Sequence, residues 1–589
     1  MLIKLQNFVG IAPAVDERRL GEQYATVAKN IDFESGALVP TRTDSNVLTL
    51  GSSTKQSIYY YNHTNWLQWE EQVDVAKGPV PNDAFNRLYW TGEDYPRVGT
   101  SASMISGTST YPNVSYKLGI PAPSAAPTVV KSGTADNTQT PFDVSYVFTF
   151  VSAIGEEGPP SPASTPIVLT DTESVALNMG AAPSGNYNFG TGALRRIYRS
   201  NTGSTNTQFQ FVAEVPIGTT THTDTKDGDE LGEVLPSATW IGPPDEDTSL
   251  YPSGPMLGLI NLSNGIMAGF TGNRLCFSEP FLPHAWPVGY RLTLDDDIVG
   301  IAPSGNGVAV MTEGRPYFVT GNHPSAMSAI KLDIQQSCIN KSSIVDMGEY
   351  VLYASPDGLV AISGNSAQLV TKGLITPKQW VANTTTTIEP AFGAGETSLR
   401  AFRHENTYVA FYNNSGVYRG WVYDPRAGEA ALSTLTVSSP DVRGGFEDKK
   451  DGLLYFIQGN QIKKYQGGTT PNLFTFRSKV FNLARPASFG WVHVDAEYNV
   501  GSTSVKIFAD GSAIANYAIT KVSNNLGEYS VVYTRTNNLG QTVTSTHYPQ
   551  EPIVRLPSVV GKEWQIEVYG NYKVNEVSLA TSIDELRES

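Results

Sequence analysis

The chain has 589 residues, of which 40% are apolar and 16% are charged, and 41 Lys and Arg against 56 Asp and Glu leave a formal net charge of −15. This composition excludes a disordered chain, and the acidic balance disfavours a protein that grips nucleic-acid phosphates with Lys and Arg. The length predicts about three to five domains, and abundant Gly and Pro among aromatic and β-branched residues are typical of strands joined by turns.

Residues 1–120 are predicted to contain an N-terminal hairpin and the first strands of a β-propeller. A short helix is expected over residues 16–29, where alanines and a valine supply a modest apolar face. Alternating apolar residues around a Ser-Gly pair predict a hairpin over residues 30–40. Aromatic-rich strands are expected within residues 57–91.

Residues 141–240 are predicted to form an inserted β-sandwich. The stretch before it, residues 121–141, is rich in Pro, Ala, Ser and Thr and indicates a linker. Period-2 strands are expected at residues 144–153 and 208–215, and the Gly-Glu-Glu-Gly-Pro-Pro-Ser-Pro run at residues 155–162 is interpreted as a polar turn.

Residues 250–470 repeat one pattern about every 45–60 residues: an apolar strand, a Gly-bearing turn, and two further apolar strands. The repeats begin near Ile298, Ser343, Arg400 and Val442. A small sheet with two apolar faces can bury both only between neighbours, so we predict propeller blades, about six in all, one of them formed by the strands within residues 57–91. A stack of sheets or a solenoid is the structural alternative. Residues 471–589 are predicted to form a β-rich C-terminal segment.

Cys276 and Cys338 allow at most one disulfide and lack zinc-site spacing, so we expect two buried free thiols in a protein that folds in a reducing cytosol. No segment approaches the roughly 18–20 apolar residues that span a bilayer. Residues 1–8 are a poor secretory signal because polar residues interrupt them.

The strongest acidic cluster is Asp295, Asp296 and Asp297, which we name as candidate acidic channel or loop residues. They could hold a cation or line an electronegative passage, or they could be a solvated loop before a blade. The sequence contains no nucleophile elbow, P-loop, dinucleotide fingerprint or HExxH motif, and its seven His residues are scattered. We therefore predict no catalytic residues, no metal and no cofactor.

Three stretches resemble the tail nozzle (tail tubular) proteins of short-tailed bacteriophages. The first is the opening Asn-Phe-Val-Gly-Ile-Ala-Pro with the small residues that follow it. The second lies in the insertion and is similar to fibronectin type III-like modules of phage tails, and the third is C-terminal. The residues that carry the resemblance are Asn7–Pro13, Ala25, Ala28, Asn30 and Gly36–Leu38; Gly155–Pro162 and Arg196–Ser200; and Arg477–Lys479, Ala509–Gly511, Arg555–Pro557 and Ile583–Leu586.

This resemblance implies a virion structural protein that is made in the host cytoplasm and is not an enzyme. Such proteins assemble as a ring, usually of six copies, below the portal and adaptor proteins. They complete the tail tube, carry fibres or spikes, retain the genome, and conduct DNA during ejection. An acidic wall would let DNA slide without binding, because DNA carries one negative charge per about 1.7 Å of helix axis.

Two other functions stay open on the sequence. A carbohydrate-active propeller would need a pair of carboxylates at a shared cleft, and Asp295, Asp296 or Asp297 with Glu279 or Glu313 could supply it. An adhesion protein could instead bind host glycan through the sandwich at residues 141–240.

Overall fold

The computed structural model describes residues 1–107, 110–202, 206–382, 392–425, 431–497, 503–522, 528–536 and 542–587. The described chain is almost entirely β-strand and forms two compact units. Residues 59–335 form one, here called the sandwich unit, and residues 1–58 with 336–589 form the other, the terminal unit. Within the described ranges no helix is long and apolar enough to cross a membrane.

The N-terminal segment supplies strands to several different sheets. Its strands are β1 (Leu2–Leu5), β2 (Ala25–Lys29), β3 (Ile31–Asp32), β4 (Val39–Pro40), β5 (Ser45–Thr49), β6 (Ser57–Tyr61) and β7 (Asn65–Trp69). The hairpin predicted over residues 30–40 is confirmed, because β3 pairs antiparallel with β4. Strands β6 and β7 pair as a second hairpin.

The helix predicted over residues 16–29 is wrong. Gly21 interrupts that stretch, and Gly is unfavourable inside a helix. From Ala25 onward the chain is strand β2, whose two edges pair with two different strands of the terminal unit. Tertiary pairing thus outweighs the helix propensity of the alanines, both of which are buried.

The sandwich unit begins with a four-stranded antiparallel sheet whose strands follow chain order, and a short helix precedes its last strand. These elements are β8 (Asp74–Lys77), β9 (Leu88–Thr91), β10 (Arg97–Gly99), α1 (Ser101–Met104) and β11 (Tyr116–Lys117). This is the first blade.

The sandwich is inserted after the first blade. It consists of β12 (Thr128–Gly133), β13 (Phe142–Val144), β14 (Tyr146–Val151), β15 (Ile167–Leu169), β16 (Glu173–Asn178), β17 (Leu194–Thr202), β18 (Thr207–Pro216) and β19 (Thr221–Asp224). Strands β12-β16-β19 form one sheet, β14-β17-β18 a second, and β13-β15 a two-stranded pair. Alternate residues of these strands bury a separate apolar core that includes Phe148, Leu177 and Ile197.

Two further blades complete the sandwich unit. They are β20 (Leu257–Asn261), β21 (Met267–Thr271), β22 (Arg274–Phe277) and β23 (Arg291–Thr293), then β24 (Ile298–Ser304), β25 (Gly307–Thr312), β26 (Tyr317–Thr320) and β27 (Ser328–Lys331). The first strand of each blade adjoins the first strand of the next, and consecutive blades share an apolar core. This mutual covering is the packing of a β-propeller.

The terminal unit repeats the arrangement with three more four-stranded blades. Their elements are β28 (Val345–Asp346), β29 (Val351–Ser355), β30 (Gly358–Ser363) and β31 (Ser366–Leu369); after α2 (Pro377–Val381), β32 (Arg400–His404), β33 (Thr407–Asn414), β34 (Val417–Asp424) and β35 (Ala431–Thr436); then β36 (Val442–Asp448), β37 (Leu453–Gln458) and β38 (Gln461–Lys464). The N-terminal strand β5 adds the fourth strand to the last of these blades.

The C-terminal segment is a pair of packed sheets. Its elements are β39 (Phe474–Ser478), β40 (Phe481–Ala487), β41 (Trp491–Ala496), β42 (Thr503–Ala509), β43 (Ser512–Lys521), β44 (Tyr529–Thr536), β45 (Thr542–His547), β46 (Ile553–Arg555), β47 (Gly561–Gly570), β48 (Val574–Ala580) and α3 (Ile583–Arg587). One sheet has the order β1-β48-β41-β46. The other is continuous with the blade β32–β35 through β2, in the order β32-β33-β34-β35-β2-β39-β47-β42-β43-β44-β45.

The predicted fold is confirmed: an all-β protein with propeller blades, an inserted β-sandwich and a β-rich C-terminal segment. Six four-stranded blades lie within the described residues, three in each unit.

Candidate functional site

The acidic residues Asp295, Asp296 and Asp297 lie in the turn between β23 and β24, where the chain passes from the outer strand of one blade to the inner strand of the next. Asp295 is exposed, and its carboxylate accepts a hydrogen bond from Lys331 Nζ at 2.7 Å. That hydrogen bond holds the pKa of Asp295 below its ordinary value. Because lysine neutralises it, Asp295 contributes little net negative charge.

The three aspartates do not converge on one point. The carboxylate of Asp296 packs against the turn at Gly314, so closely that a Cβ on this glycine would lie 2.1 Å from Oδ2. The carbonyl oxygen of Asp297 accepts a hydrogen bond from the backbone N–H of Glu313 at 3.0 Å. Each residue of the cluster therefore engages a different neighbour.

Glu279 and Glu313, the possible partners of these aspartates in a glycosidase, lie on two other turns. Glu279 follows β22, and its carboxylate accepts a hydrogen bond from the Tyr290 hydroxyl at 3.1 Å. Glu313 follows β25 and is exposed. Neither glutamate belongs to a group of three potential metal ligands in the part of the chain that the structure describes.

A group that could hold a metal ion forms elsewhere, in the terminal unit. Asp32 of β3, Glu34 of the following turn and Glu405 of the β32–β33 turn each place a carboxylate oxygen within 4.8 Å of the others. Glu405 and Asn406 both have positive φ, +49° and +76°, which is the geometry of a tight two-residue hairpin turn. That turn points Glu405 toward the hairpin β3–β4. The sequence separation of more than 370 residues concealed this group.

The cavity beside this group is small. Asp32 and Glu405 help to line about 30 Å³ of space, together with His404 and Asp424. This is the volume of about one water molecule, so the cavity admits a water or a cation and excludes a sugar ring. Calcium takes about six to eight oxygen ligands, and three carboxylates reach six only if all bind through both oxygens.

The most elaborate polar site lies in the predicted turn at residues 155–162, which is not solvated. Glu156 and Glu157 are each only 3% exposed. Glu157 accepts hydrogen bonds from Arg196, Tyr198 and Thr149, each at 2.8 Å. The interpretation of this segment as a polar surface turn is therefore wrong for its two glutamates.

The arginines of strand β17 explain this burial. Arg195 and Arg199 are 1% and 4% exposed, and buried arginine requires compensating acceptors. Arg199 pairs with the buried Asp224 at 2.9 Å, so the acidic segment after residue 223 begins with a structural ion pair. Three arginines in a strand that is predicted to be half-buried were the signal in the sequence for buried acids nearby.

Three further groups of titratable chemistry are buried. Burial raises the pKa of Cys276 to about 11 and that of Cys338 to about 12, so both thiols are protonated at neutral pH. The two cysteines are free, as predicted. His284 is 4% exposed, neither ring nitrogen has a hydrogen-bond partner among the described residues, and burial lowers its pKa to about 3.

No protein-family model matches the chain, and no curated protein matches it. Among solved structures it is similar to BamB from Moraxella catarrhalis (12% identity, 59% of this chain and 90% of that chain, TM-score 0.21). It is also similar to the Pan2 WD40 domain of Neurospora crassa (6%, 51% and 84%, 0.24) and to a chain of the Mitotic Checkpoint Complex (9%, 72% and 95%, 0.26). Similarities of this size carry no argument about function.

Proposed function

We propose that this protein is a non-enzymatic structural component of a short-tailed bacteriophage tail, a nozzle subunit that assembles into a ring, retains the genome and conducts DNA during ejection. Its partners would be further copies of itself, in a ring of about six, the portal and adaptor proteins, and tail fibres or spikes. Genomic DNA would pass through the lumen without specific binding.

One observation carries this proposal: the first and third stretches that resemble nozzle proteins form a single core. Phe8 packs edge-on against Phe476 with ring centroids 4.9 Å apart. Strand β2 pairs with β39, which contains the Arg477–Ser478 part of the third stretch. Short strings about 470 residues apart in the sequence are thus parts of one structural element, which supports a common architectural origin over chance similarity.

The glycine in the first stretch has a specific structural reason. A Cβ on Gly10 would lie 2.1 Å from the carbonyl oxygen of Leu432 in β35, a backbone atom that cannot move aside. The N–H of Ile11 donates to the same oxygen at 2.8 Å. The opening motif therefore needs a residue without a side chain in order to seat the N-terminal segment against a blade.

The carbohydrate-active alternative receives less support. In the described residues, three acidic side chains gather only at Asp32, Glu34 and Glu405, beside a cavity of about 30 Å³. A glycosidase needs two carboxylates about 5–10 Å apart with room for a sugar between them. A glycan-release assay on capsular and lipopolysaccharide substrates tests this alternative directly, and turnover would favour it over the structural role.

Electron microscopy of the purified full-length protein, alone and mixed with portal–adaptor complex, tests the structural proposal. Rings with a central hole, or added density below the adaptor, are the expected result. Dispersed particles under both conditions would contradict the proposal.

The proposed conduction mechanism makes a separate claim, namely that an acidic wall keeps DNA centred. Asp295 and Asp297 are exposed and can be reversed to Lys together. If they face the passage, the variant phage should eject DNA more slowly, and the delay should shrink at high salt because counterion release drives the new attraction. The matched control reverses Asp143 and Asp171, two exposed acids of the sandwich. Equal ejection kinetics in both variants would refute a lining role for this loop.

A further inference from the structure

The sandwich is joined to the blades of its unit by a narrow two-stranded neck. The chain enters through residues 118–120 and returns through residues 241–243. These segments lie so close that a Cβ on Gly119 would be 2.6 Å from the Cα of Gly242. A neck of this kind, with Gly119 at φ +94°, would by itself leave the sandwich free to swing.

The turn at residues 155–158 packs onto this neck. A Cβ on Gly158 would lie 2.9 Å from the carbonyl oxygen of Ile120 and 2.7 Å from its side chain. The turn is also closed on itself, since the backbone N–H of Ser152 donates to the carbonyl of Glu156 at 2.9 Å and the N–H of Glu156 donates to Ser152 Oγ at 3.1 Å. The two glutamates are therefore held in a rigid loop at the point where the sandwich meets the blades.

Glu157 faces the sandwich. Its donors Thr149, Tyr198 and Arg196 all lie on β14 and β17, in one sheet of the sandwich. A fourth hydroxyl, that of Ser237 on the returning segment, lies 3.4 Å away and is fully buried. This carboxylate fastens the turn to the body of the sandwich.

Glu156 faces the other way, toward the first blade. Arg87, in the β8–β9 connection, donates to its carboxylate at 3.0 Å. Asp83 orients that guanidinium by accepting from its Nε at 2.9 Å and from the Arg87 backbone N–H at 2.8 Å. The pair is almost fully removed from water, since the side chains of Glu156 and Arg87 are 4% and 12% exposed.

Buried ion pairs add little net stability, but the loss of one partner leaves the other charge unpaired away from water. Such pairs therefore favour one arrangement of the surrounding segments over others. A second set of contacts supports the same orientation from the opposite side: Asn186 of the sandwich donates to the Tyr95 hydroxyl at 3.1 Å and to the Ser115 carbonyl at 3.0 Å.

We propose that the turn at residues 155–158 is a two-sided lock that holds the sandwich as a rigid arm in one orientation on the first blade. In this lock Glu157 grips the sandwich and Glu156 grips Arg87. The sandwich is then a fixed bracket rather than a tethered module, and anything attached to it would transmit displacement to the blades. This inference does not depend on the proposed role in a phage tail.

Distance measurements between spin labels test the lock in the full-length protein. Val130 of the sandwich and Val288 of the second blade are 64% and 62% exposed and can each be replaced by a labelled Cys. The native thiols Cys276 and Cys338 are buried, and labelling of the parent protein without new cysteines checks that they do not react. The lock predicts a single narrow distance distribution for the parent pair of labels.

Glu156→Gln removes the charge that faces Arg87 and keeps the shape of the side chain. We expect the distance distribution to broaden at least twofold, with no loss of the sandwich's own melting transition. Arg87→Met should broaden it similarly from the other side of the pair. Asp143→Asn, at an exposed acid of the sandwich, is the matched control and should leave the distribution unchanged.

Glu157→Gln should give a different result, because its partners belong to the sandwich. It should lower the melting temperature of the sandwich and speed proteolysis within residues 142–216. Narrow, unchanged distributions in folded Glu156→Gln and Arg87→Met proteins would overturn the proposal. If both variants misfold, Asn186→Ala, which weakens the second set of contacts, provides the comparison: no broadening there would also count against a contact-fixed orientation.

Discussion

Replacing Glu156 by Gln and His284 by Phe should change the pH dependence of folding in opposite directions. Both side chains are buried in the sandwich unit near Arg87, which raises the cost of the charged form of His284 and lowers that of Glu156. Neither His284 nitrogen has a hydrogen-bond partner in the described chain, so Phe removes no hydrogen bond and keeps the edge-on contact with Trp240 at 6.0 Å.

The signs follow from proton binding. Burial lowers the pKa of His284 from 6.5 to about 3, so the unfolded chain binds more protons between these values and stability is lost as the pH falls from 6.5 toward 3. Burial raises the pKa of Glu156 from 4.5 to about 7, so the folded protein binds more protons there and stability is lost as the pH rises from 4.5 toward 7.

At about 1.4 kcal/mol per pKa unit, the full effects are about 5 kcal/mol for His284 and about 3 kcal/mol for Glu156. Between pH 4.5 and pH 6.5 each group changes the free energy of unfolding by roughly 3 kcal/mol, and the two changes oppose each other. The parent protein should therefore show little dependence from this pair in that window.

Urea unfolding at constant ionic strength, followed by hydrogen exchange of peptides near residues 150–160 and 280–290, measures the effect. From pH 4.5 to pH 6.5 the stability of Glu156→Gln should rise relative to the parent, and that of His284→Phe should fall. Comparison with the parent cancels all other titrating groups. If both variants keep the parental slope, the two side chains do not titrate as their burial requires, and the reasoning fails.

Three further outcomes are expected. Gly10→Ala should destabilise the terminal unit by about 2–4 kcal/mol, because its Cβ meets the Leu432 backbone; thermal melting compared with an alanine at an open surface glycine checks this. Trp380→Ala should cost about 3–5 kcal/mol in the same melt, since its ring is fully buried among aromatic neighbours. Cys276 and Cys338 should resist iodoacetamide at pH 8 until the protein is unfolded, since burial raises both thiol pKa values; rapid native labelling, read by mass spectrometry, would contradict this.

Local patterns predicted most strands correctly, because period-2 alternation and Gly-bearing turns act over only a few residues. The blade starting at Ile298 and the hairpin at residues 30–40 are examples. The expected helix failed where the decisive interactions were distant, since β2 takes its partners from β35 and β39, about 400–450 residues away. No local pattern contains such pairing.

The candidate sites divide in the same way. Asp295–Asp297 formed a visible cluster in sequence, yet in space each residue engages a different neighbour. The carboxylates that do gather, Asp32, Glu34 and Glu405, come from two turns remote in sequence. The burial of Glu156 and Glu157 follows from docking of the sandwich onto the blades, and only the arginine-rich strand β17 hinted at it.

The path of the N-terminal segment has a consequence for synthesis on the ribosome. Strands β1, β2 and β5 leave the exit tunnel first, but their partners β48, β39 and β38 are among the last residues to be translated. The sandwich unit, whose residues are contiguous, can fold while the leading strands still lack partners. During that interval those strands present unpaired backbone and apolar side chains, and a chaperone that shields the nascent leading end would raise the yield of correctly folded protein.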